Sequence, residues 1–303
     1  MKVLVTGSGG LVGQALLKEL RANGHDVTRL VRRAAVAADE RSWDPLKGEI
    51  DQAALAVEGV VHLAGEGIAE GRWTEAKKKR IRDSRVDGTR LLCEAIARSP
   101  EAPRVLVAAS AIGFYGDGGD SRLGESADSG TGFLPDVCRE WEAATAAAGE
   151  AGTRIVNLRL GVILSPEGGA LARMLTPFRL GVGGRLGDGQ QWMSWVSLDD
   201  VIGAISHGLS ADDLSGPVNG VAPHPVTNAE FTRTLGRVLS RPTVFPMPGF
   251  AARLAFGQMA DDLLLASLRV EPKALMENGF QFQQPELETA LRQMLDRPAA
   301  GAA

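Results

Sequence analysis

Three glycines near the start of the chain have the spacing expected of a phosphate-binding turn. Gly7, Gly10 and Gly13 stand between an apolar, β-branched run at 2–6 and a helical pattern at 14–20. In such a turn the first glycine allows the tight bend, the second lets the backbone approach a pyrophosphate, and the third lets the helix pack close to the strand. The helix N-terminus adds free N–H groups and a positive dipole end. The pattern therefore predicts a dinucleotide site.

The end of the next predicted strand indicates which dinucleotide binds. Residues 26–31 alternate in polarity like a strand, and Arg32 and Arg33 follow them with no acid at this end. An acid here selects NAD by accepting from the ribose 2′-hydroxyl, whereas an arginine accommodates the 2′-phosphate of NADP. We therefore expect NADP(H) as the cofactor, read by Arg32. The alternative is that both arginines are simply solvated.

A serine and a tyrosine follow a later predicted strand. Residues 104–109 are mostly apolar and lead into Ser110 and then Tyr115, which is the only tyrosine in the chain. Open parallel sheets bind ligands beyond the carboxyl ends of their strands. Both hydroxyl groups are therefore candidates for catalysis, in which they would orient a carbonyl group. An alternative role for Tyr115 is to form a wall of the nicotinamide pocket.

Two further ionisable residues fall in stretches that ought to be buried. Arg85 lies on the apolar stripe of a helix predicted over 74–98, so its charge needs an anionic or polar partner. A cofactor phosphate and a structural acid are the two alternatives. His62 stands inside the apolar strand 60–64, which is more typical of a packed strand residue than of a catalyst.

Strands and helices alternate along most of the chain. This order predicts an α/β fold, with a Rossmann-type, doubly wound parallel sheet in residues 1–225 and a small, mostly helical C-terminal lobe in 226–303. The segment 166–195, which includes a glycine-rich loop, is expected to contribute with that lobe to the substrate side. We predict that residues 298–303 are disordered.

Composition and charge argue against several kinds of partner. The chain has 303 residues, of which 44% are hydrophobic, and its formal net charge of −4 gives no reason to expect nucleic acid or an anionic membrane. No apolar run is long enough to span a membrane, and no secretory signal precedes the first strand. Cys93 and Cys138 are predicted to be buried free thiols, so we expect a soluble, cytoplasmic protein. No metal site is predicted, and the sequence does not fix the oligomeric state.

Motifs along nearly the whole chain resemble those of the extended short-chain dehydrogenases/reductases. They begin with the glycine turn and continue with Leu63, Ala64 and Gly65 at a strand end. The chain is most similar to the atypical, NAD-dependent epimerase/dehydratase subgroup, which carries a C-terminal domain of unknown function. Its members are named nucleoside-diphosphate-sugar epimerases by analogy. The marks of the subgroup are Trp43-Asp44-Pro45, Ser84-Arg85, Phe114-Tyr115-Gly116, Trp141-Glu142, Ser194-Trp195-Val196 and Asn278-Gly279-Phe280.

The resemblance implies both a set of cofactor contacts and a kind of chemistry. The chemistry is that of an epimerase-like oxidoreductase acting on a small, sugar-like or carbonyl substrate. NADP(H) would be held by the glycine turn, a strand end, two arginines and one backbone segment: Thr6, Gly7, Gly10, Leu11, Val12, Gly13, Arg32, Leu63, Ala64, Gly65, Arg85 and the backbone near Val162.

One departure from the family pattern bears on catalysis. The family's Tyr-x-x-x-Lys pair exchanges a proton with the substrate, because the lysine and the cofactor lower the pKa of the tyrosine. Alignment on Trp141-Glu142 places Leu134 and Cys138 at these two positions. We therefore consider two functions. One is an NADP(H)-dependent enzyme that lacks the usual pair. The other is a non-catalytic NADP(H)-binding regulator, either redox-sensing or similar to a cell-division inhibitor.

Overall fold

The structure is a computed structural model in which residues 1–297 are described. The tail 298–303, predicted to be disordered, lies outside the described residues. The strands are β1 (Lys2–Thr6), β2 (Asp26–Val31), β3 (Glu40–Asp44), β4 (Glu49–Ile50), β5 (Gly59–His62), β6 (Val105–Ala111), β7 (Arg122–Leu123), β8 (Arg154–Leu160), β9 (Val162–Ser165), β10 (Trp192–Met193), β11 (Trp195–Ser197), β12 (Gly216–Gly220), β13 (Val226–Thr227) and β14 (Arg269–Val270).

Helices connect these strands and form most of the C-terminal part. They are α1 (Leu11–Ala22), α2 (Glu75–Ala97), α3 (Phe133–Ala143), α4 (Ala146–Glu150), α5 (Gly169–Arg179), α6 (Leu198–Ser210), α7 (Asn228–Leu239), α8 (Gly249–Phe256), α9 (Lys273–Glu277) and α10 (Leu287–Met294). Two 3₁₀ turns, Gln52–Leu55 and Ile112–Tyr115, and a π-helical turn, Ala260–Leu265, complete the set.

The central sheet has eight strands in the order β12-β8-β6-β5-β1-β2-β3-β4. All neighbouring pairs are parallel except β3 and β4, which are antiparallel. The strand order reverses at β1, which has β2 on one side and β5 on the other. A ligand crevice forms at such a reversal, beyond the carboxyl ends of the strands. The predicted Rossmann-type fold is therefore confirmed.

Alternate residues of the central strands face two separate helical layers. Val3 and Val5 of β1 pack in a core that includes α1 and α6, whereas Leu4 packs with α2 on the opposite face. All three side chains are fully buried. A continuous apolar run is what a parallel strand covered on both faces requires. The buried faces of the helices hold the ends of β1, β5 and β6 at one edge.

The C-terminal part shares its core with the segment that precedes it. Helices α5, α7 and α10 pack around Trp195 and Phe231, which are both nearly inaccessible to solvent. Two short strand pairs, β10 with β13 and β7 with β14, join this part to the rest. None of the helices described within residues 1–297 combines the length and the hydropathy that crossing a membrane would need. Cys93 and Cys138 are buried and free, as predicted.

The mostly apolar stretch 154–164 forms two strands, β8 and β9, which separate at Gly161. A Cβ atom at Gly161 would lie 2.7 Å from the carbonyl oxygen of Ser194, so the chain can pass there only without a side chain. After this break β9 pairs with β11 instead of continuing in the central sheet. The turn at Gly161 thus directs the chain from the sheet to the second core.

Candidate functional site

The glycine turn has the geometry of a phosphate-binding loop. Gly7 has a φ of +67°, and a Cβ atom there would lie 2.6 Å from the carbonyl carbon of Leu63. A Cβ atom at Gly13 would lie only 2.3 Å from the carbonyl oxygen of Gly7, whereas at Gly10 the same oxygen is 3.4 Å away. The protein's own packing therefore requires Gly7 and Gly13. Gly10 leaves the backbone open on its outer side.

The N-terminus of α1 is free to meet a ligand. Gly10 precedes the helix and offers no side-chain cap, and the first turn contains no acid. The N–H groups of Leu11, Val12 and Gly13 therefore have no capping oxygen. Four backbone donors without intrahelical partners are normal at a helix start, and with the helix dipole they favour an anion. The turn fits a pyrophosphate.

A buried hydrogen-bond chain fixes the two strand ends beside this turn. Thr6 Oγ1 accepts from the backbone N–H groups of Leu63 (3.1 Å) and Ala64 (3.2 Å), so its own proton goes to Nδ1 of His62 (2.7 Å). Nε2 of His62 then donates to Thr89 Oγ1 at 2.9 Å. His62 is therefore a neutral structural residue that joins β1, β5 and α2, as the sequence favoured. Thr6 holds the strand end that a cofactor would lie against.

We predict that protonation of His62 destabilises the fold. Burial lowers the pKa of His62 from 6.5 to about 4, so the folded protein holds this ring neutral where an unfolded chain would protonate it. The stabilisation is present above pH 6.5 and is lost as the pH falls towards 4, by on the order of 3 kcal/mol. Chemical denaturation at several pH values measures it. A His62→Gln variant should lose much of this pH dependence, and an unchanged slope would contradict the assignment.

The two arginines after β2 have different environments. Arg33 forms a bidentate ion pair with Glu40 (2.5 and 2.8 Å), which also pairs with Arg29 at 3.1 Å. Glu40 is almost completely buried, and its hydrogen bonds to Arg33 and to backbone N–H groups lower its pKa to about 2. Arg32 is exposed and forms no hydrogen bond or ion pair within residues 1–297. Of the two, only Arg32 is available to a 2′-phosphate.

The contacts of Arg85 decide one of its two predicted partners. No carboxylate within the described residues lies at ion-pair distance; instead Nη1 donates to the carbonyl oxygens of Glu66 (3.0 Å) and Ile81 (3.1 Å). The guanidinium packs over the ring of Trp141 at 5.1 Å and against Gly65. The structural acid proposed as one alternative is therefore not found among these residues. Arg85 lies at the end of β5, where the cofactor is expected.

Ser110 and Tyr115 belong to one buried polar network. Ser110 Oγ donates to Glu142 (2.6 Å), and Glu142 forms a bidentate pair with Arg159 (both contacts 2.8 Å). Arg159 donates to the hydroxyl of Tyr115 (2.9 Å), which donates in turn to Oδ1 of Asn219 (2.7 Å). Burial raises the pKa of Tyr115. The structure thus brings the two predicted catalytic residues together, but turns their hydroxyls inward.

Leu134 and Cys138, the residues expected at the positions of the family's proton-transfer pair, face the end of β6. Leu134 and Cys138 lie one turn apart on α3, and both are close to Gly113. Burial raises the pKa of the Cys138 thiol to about 12, so it stays protonated and neutral. A leucine and a neutral thiol cannot serve as a tyrosine–lysine pair. The side chains that occupy this place therefore lack the usual proton-transfer chemistry.

Two neighbouring cavities lie between the end of β6 and the C-terminal part. The inner one has a volume of about 240 Å³, and Gly113 and Leu134 form one of its walls. The outer one, of about 450 Å³, is lined partly by residues within 187–191 of the glycine-rich loop. Asp117 and Arg253 line both cavities. A small ligand therefore has room beside the strand end that carries Ser110.

Four further residues that are predicted to contact the cofactor lie at strand ends or in the first helix, after the glycine turn. Leu63 and Ala64 follow β5, and Val162 opens β9 with its backbone N–H donating to Ser194 O at 2.9 Å. The side chain of Leu11 points away from the turn and packs near Gly168. Within residues 1–297, no group of three or more His, Cys, Asp or Glu side chains is arranged to hold a metal ion.

Three residues that organise this site have no role that their neighbours in the sequence indicate. They are Glu40, Glu142 and Arg159. The motif Trp141-Glu142 drew attention to one of them without indicating its chemistry. In the sequence Glu40 resembles an exposed acid. Its partner Arg29 lies opposite it only because strand β2 pairs with strand β3. For Arg159 the sequence indicates only that the residue lies in a strand.

The strand order and the glycine turn define a Rossmann-type nucleotide-binding protein. Comparison with known sequences specifies it further: the profile of the NAD dependent epimerase/dehydratase family matches residues 3–219, and a domain of unknown function, DUF1731, matches residues 247–294. The chain belongs to the NAD dependent epimerase/dehydratase family.

Known proteins match nearly the whole of this chain. An epimerase family protein of Mycobacterium bovis is 46% identical over 98% of both chains. The crystal structure of the human epimerase family protein SDR39U1 (isoform 2) with NADPH has a TM-score of 0.90 at 35% identity, covering 98% of this chain and 100% of the human one. A nucleoside-diphosphate sugar epimerase from Corynebacterium glutamicum has a TM-score of 0.81 at 38% identity, covering 97% of this chain and 58% of that one.

Proposed function

We propose that this protein is an NADP(H)-dependent oxidoreductase of the epimerase type, acting on a small carbonyl or sugar-like substrate. One observation carries the proposal: the inner cavity begins at Gly113 and Leu134, beside the strand ends where a dinucleotide bound at the glycine turn would place its second half. The free thiols of Cys93 and Cys138 suit a reducing compartment, so we also propose a cytoplasmic location.

The residues around the crevice fit NADP(H). The open side of Gly10 and the uncapped N–H groups at the start of α1 suit a pyrophosphate, and the exposed Arg32 suits a 2′-phosphate. The NADPH present in the crystal structure of human SDR39U1 supports the choice of cofactor. The strand end at Leu63 and Ala64, held by Thr6, and the backbone at Val162 would border the rest of the molecule.

Each part of the chain has a defined task in this proposal. When bound, the cofactor supplies or accepts a hydride. The glycine turn and Arg32 fix its position, and the packed end of β6 holds the wall at which the substrate lies. The cavity residues Leu134 and Gly113 exclude water from that wall, whereas Asp117 and the glycine-rich loop 187–191 offer polar contacts to hydroxyl groups.

The catalytic roles of Ser110 and Tyr115 remain a proposal, and their present hydrogen bonds favour a positioning role instead. A tyrosine that exchanges a proton with a substrate needs a hydroxyl within hydrogen-bond reach of it. Here Tyr115 is only 4% exposed to solvent. Its hydroxyl group accepts a hydrogen bond from Arg159 and donates one to Asn219. Ser110 is equally enclosed by its bond to Glu142.

We predict that Tyr115→Phe destabilises the protein by about 1–3 kcal/mol and leaves NADPH binding intact, because Asn219 and Arg159 each lose a buried partner. Thermal unfolding and cofactor titration measure both effects. Asn219→Ala is the matched control, since it disturbs the same network but keeps the hydroxyl. If only the tyrosine variant abolished turnover of a substrate, the hydroxyl would be catalytic and the positioning role refuted.

A second candidate function is a non-catalytic regulator that responds to NADP(H). The chemistry of the aligned pair favours it, since Leu134 and the neutral Cys138 stand where the family's tyrosine and lysine act. Such a protein would keep the glycine turn and Arg32 and couple occupancy of the crevice to a partner. An oxidoreductase, by contrast, must turn over its cofactor.

Oxidation of NADPH distinguishes the two functions. The purified protein is incubated with NADPH and a panel of small aldehydes, ketones and keto sugars, and with NADP⁺ and a panel of sugar nucleotides, and the nicotinamide absorbance is followed. The proposed oxidoreductase consumes NADPH with at least one carbonyl compound, and Gly13→Ala abolishes that activity. Tight NADPH binding with no consumption across the panel would contradict the proposal and favour the regulator.

A further inference from the structure

The two cavities beside the end of β6 have far more acidic than basic residues in their walls. The charged lining residues are five aspartates and one arginine: Asp117, Asp120, Asp188, Asp261, Asp262 and Arg253. Asp120 and Asp188 belong to the outer cavity, Asp261 and Asp262 to the inner one, and Asp117 to both. A cleft lined by charges of one sign concentrates their field on whatever enters it. The lining therefore bears on the charge of the substrate.

The three aspartates of the outer cavity each use one carboxylate oxygen to hold a loop. The neutral donors to their Oδ1 atoms are the N–H of Ser267 for Asp117 (3.1 Å), Nε1 of Trp192 for Asp120 (2.9 Å) and the N–H of Gln190 for Asp188 (2.9 Å). None of these carboxylates forms an ion pair within residues 1–297, and none of their Oδ2 atoms forms a hydrogen bond there. Each Oδ2 can therefore accept a hydrogen bond from a ligand.

The positive groups near the cavities do not offset these charges. Arg253 donates from Nε to Asp261 at 2.7 Å, so its charge is paired within the lining itself. Its Nη1 lies near Gly249, where α8 begins, and a helix start adds only about half a positive charge. Arg185 approaches Gly189 with its Cδ atom but is not among the residues that line the cavity. The field inside both cavities is therefore negative.

A diphosphate group finds no good binding partner in these walls. Proteins bind phosphates with bidentate arginines or with the free N–H groups of a helix start. The one arginine is paired, as described. Helix α3 begins at the inner cavity, but its first turn contains Pro135, which has no N–H, and the acid Asp136. The cavities thus offer hydrogen-bond acceptors rather than an anion site.

We propose that the substrate is a small, hydroxylated carbonyl compound without phosphate or carboxylate groups, and that nucleoside-diphosphate sugars are not substrates; this inference rests on the proposed function. The free Oδ2 atoms of Asp117, Asp120 and Asp188 accept hydrogen bonds from its hydroxyl groups. The same carboxylates repel a doubly negative diphosphate. The inner cavity, of about 240 Å³, receives the carbonyl end of the substrate beside Gly113.

The charge of the outer cavity can be measured without turnover, through a cysteine placed in its wall. Gln190 lines this cavity and is exposed, and its side chain forms no hydrogen bond within residues 1–297. Gln190→Cys is treated with two methanethiosulfonates of matched size, one with a trimethylammonium and one with a sulfonate group. The ratio of cationic to anionic reaction rates should exceed that of an exposed control cysteine by about 10-fold. Ionisation of the thiol cancels in this ratio, because both reagents react with the same thiolate.

The controls separate the charge of the cavity from other effects. Ala97→Cys, exposed in the last turn of α2, gives the reference ratio, and the wild type, whose two cysteines are buried, gives the background. Asp117→Asn and Asp188→Asn, each added to Gln190→Cys, remove one charge but keep the Oδ1 acceptor that holds the loop. Each should lower the ratio at position 190 by about twofold or more and leave that at position 97 unchanged. Equal ratios at the two positions, or no decrease in either asparagine variant, would overturn the inference.

Two experiments with ligands complete the test. UDP-glucose is titrated into the NADPH-loaded protein, where we expect no binding at millimolar concentration. Consumption of NADPH is then compared for dihydroxyacetone and dihydroxyacetone phosphate, and kcat/KM should favour the unphosphorylated compound by about 10-fold or more. Binding of UDP-glucose, or a preference for the phosphate, would overturn the inference. Failure to consume NADPH with any carbonyl compound would instead refute the proposed function, while the cysteine ratio would still decide the charge of the cavity.

Discussion

Replacing Arg32 by alanine should weaken NADPH binding by about 1.5–3 kcal/mol and leave NADH binding nearly unchanged. The reason is that Arg32, unlike Arg33 and Arg29, has no carboxylate partner within residues 1–297 and stands exposed at the end of β2. Its whole charge is available to the 2′-phosphate, which NADH lacks. Titration of both cofactors into the wild type and the variant measures the difference.

Arg233→Ala provides the matched control for this variant. Arg233 is another exposed arginine, placed on α7, and it forms no ion pair within the described part of the chain. Its loss changes the net charge by the same amount and should leave both affinities unchanged. Equal weakening of NADPH and NADH by Arg32→Ala would refute the role of this residue in reading the 2′-phosphate.

Replacing Gly13 by alanine should abolish measurable cofactor binding and destabilise the protein by roughly 1–3 kcal/mol. The added Cβ atom would lie 2.3 Å from the carbonyl oxygen of Gly7 and 2.7 Å from Cα of Ser8. Both contacts are with backbone atoms, so no change of rotamer relieves them and the turn itself must move. Thermal unfolding together with NADPH titration detects both consequences.

Gly9→Ala is the control within the same turn. No atom of the described structure lies within 4 Å of a Cβ atom at Gly9, and its φ is not positive, so alanine fits there without strain. This variant should fold and bind like the wild type. Similar losses in both variants would show that the turn tolerates no substitution at all, in contradiction to the packing described for Gly13.

The sequence predicted those features that depend on local pattern. The apolar run of β1 and the glycines after it specify a strand, a turn and a helix within a few residues of one another, and these elements form as expected. The prediction of NADP(H) also depends on a local feature, the absence of an acid directly after β2. In each case the physical cause, a buried strand or a missing Cβ atom, acts over a short stretch of chain.

Features that depend on contacts between distant residues could not be predicted. Ser110 and Tyr115 were correctly placed near a strand end, but the sequence does not reveal that Glu142 and Arg159 draw their hydroxyls inward. Likewise Arg32 and Arg33 are equivalent in the sequence, and only the buried Glu40, brought alongside by strand pairing, separates them. Side-chain direction at these places follows from tertiary packing.

The C-terminal part illustrates the same limit on a larger scale. The sequence predicts that this part is mostly helical, and helices α7 and α10 are found there. The two-residue strands β13 and β14, by contrast, carry no sequence signal of their own. These strands are defined by their partners β10 and β7. The cavity at this junction therefore could not be located before the fold was known.

A crystal structure of the protein with NADPH tests the central claim most directly, because it shows which residues meet each part of the cofactor. The account predicts the pyrophosphate at the N–H groups of Leu11, Val12 and Gly13, and the 2′-phosphate within hydrogen-bond distance of Arg32. The nicotinamide half would lie over the ends of β5 and β6, next to Arg85. A cofactor bound elsewhere, or a 2′-phosphate away from Arg32, would contradict it.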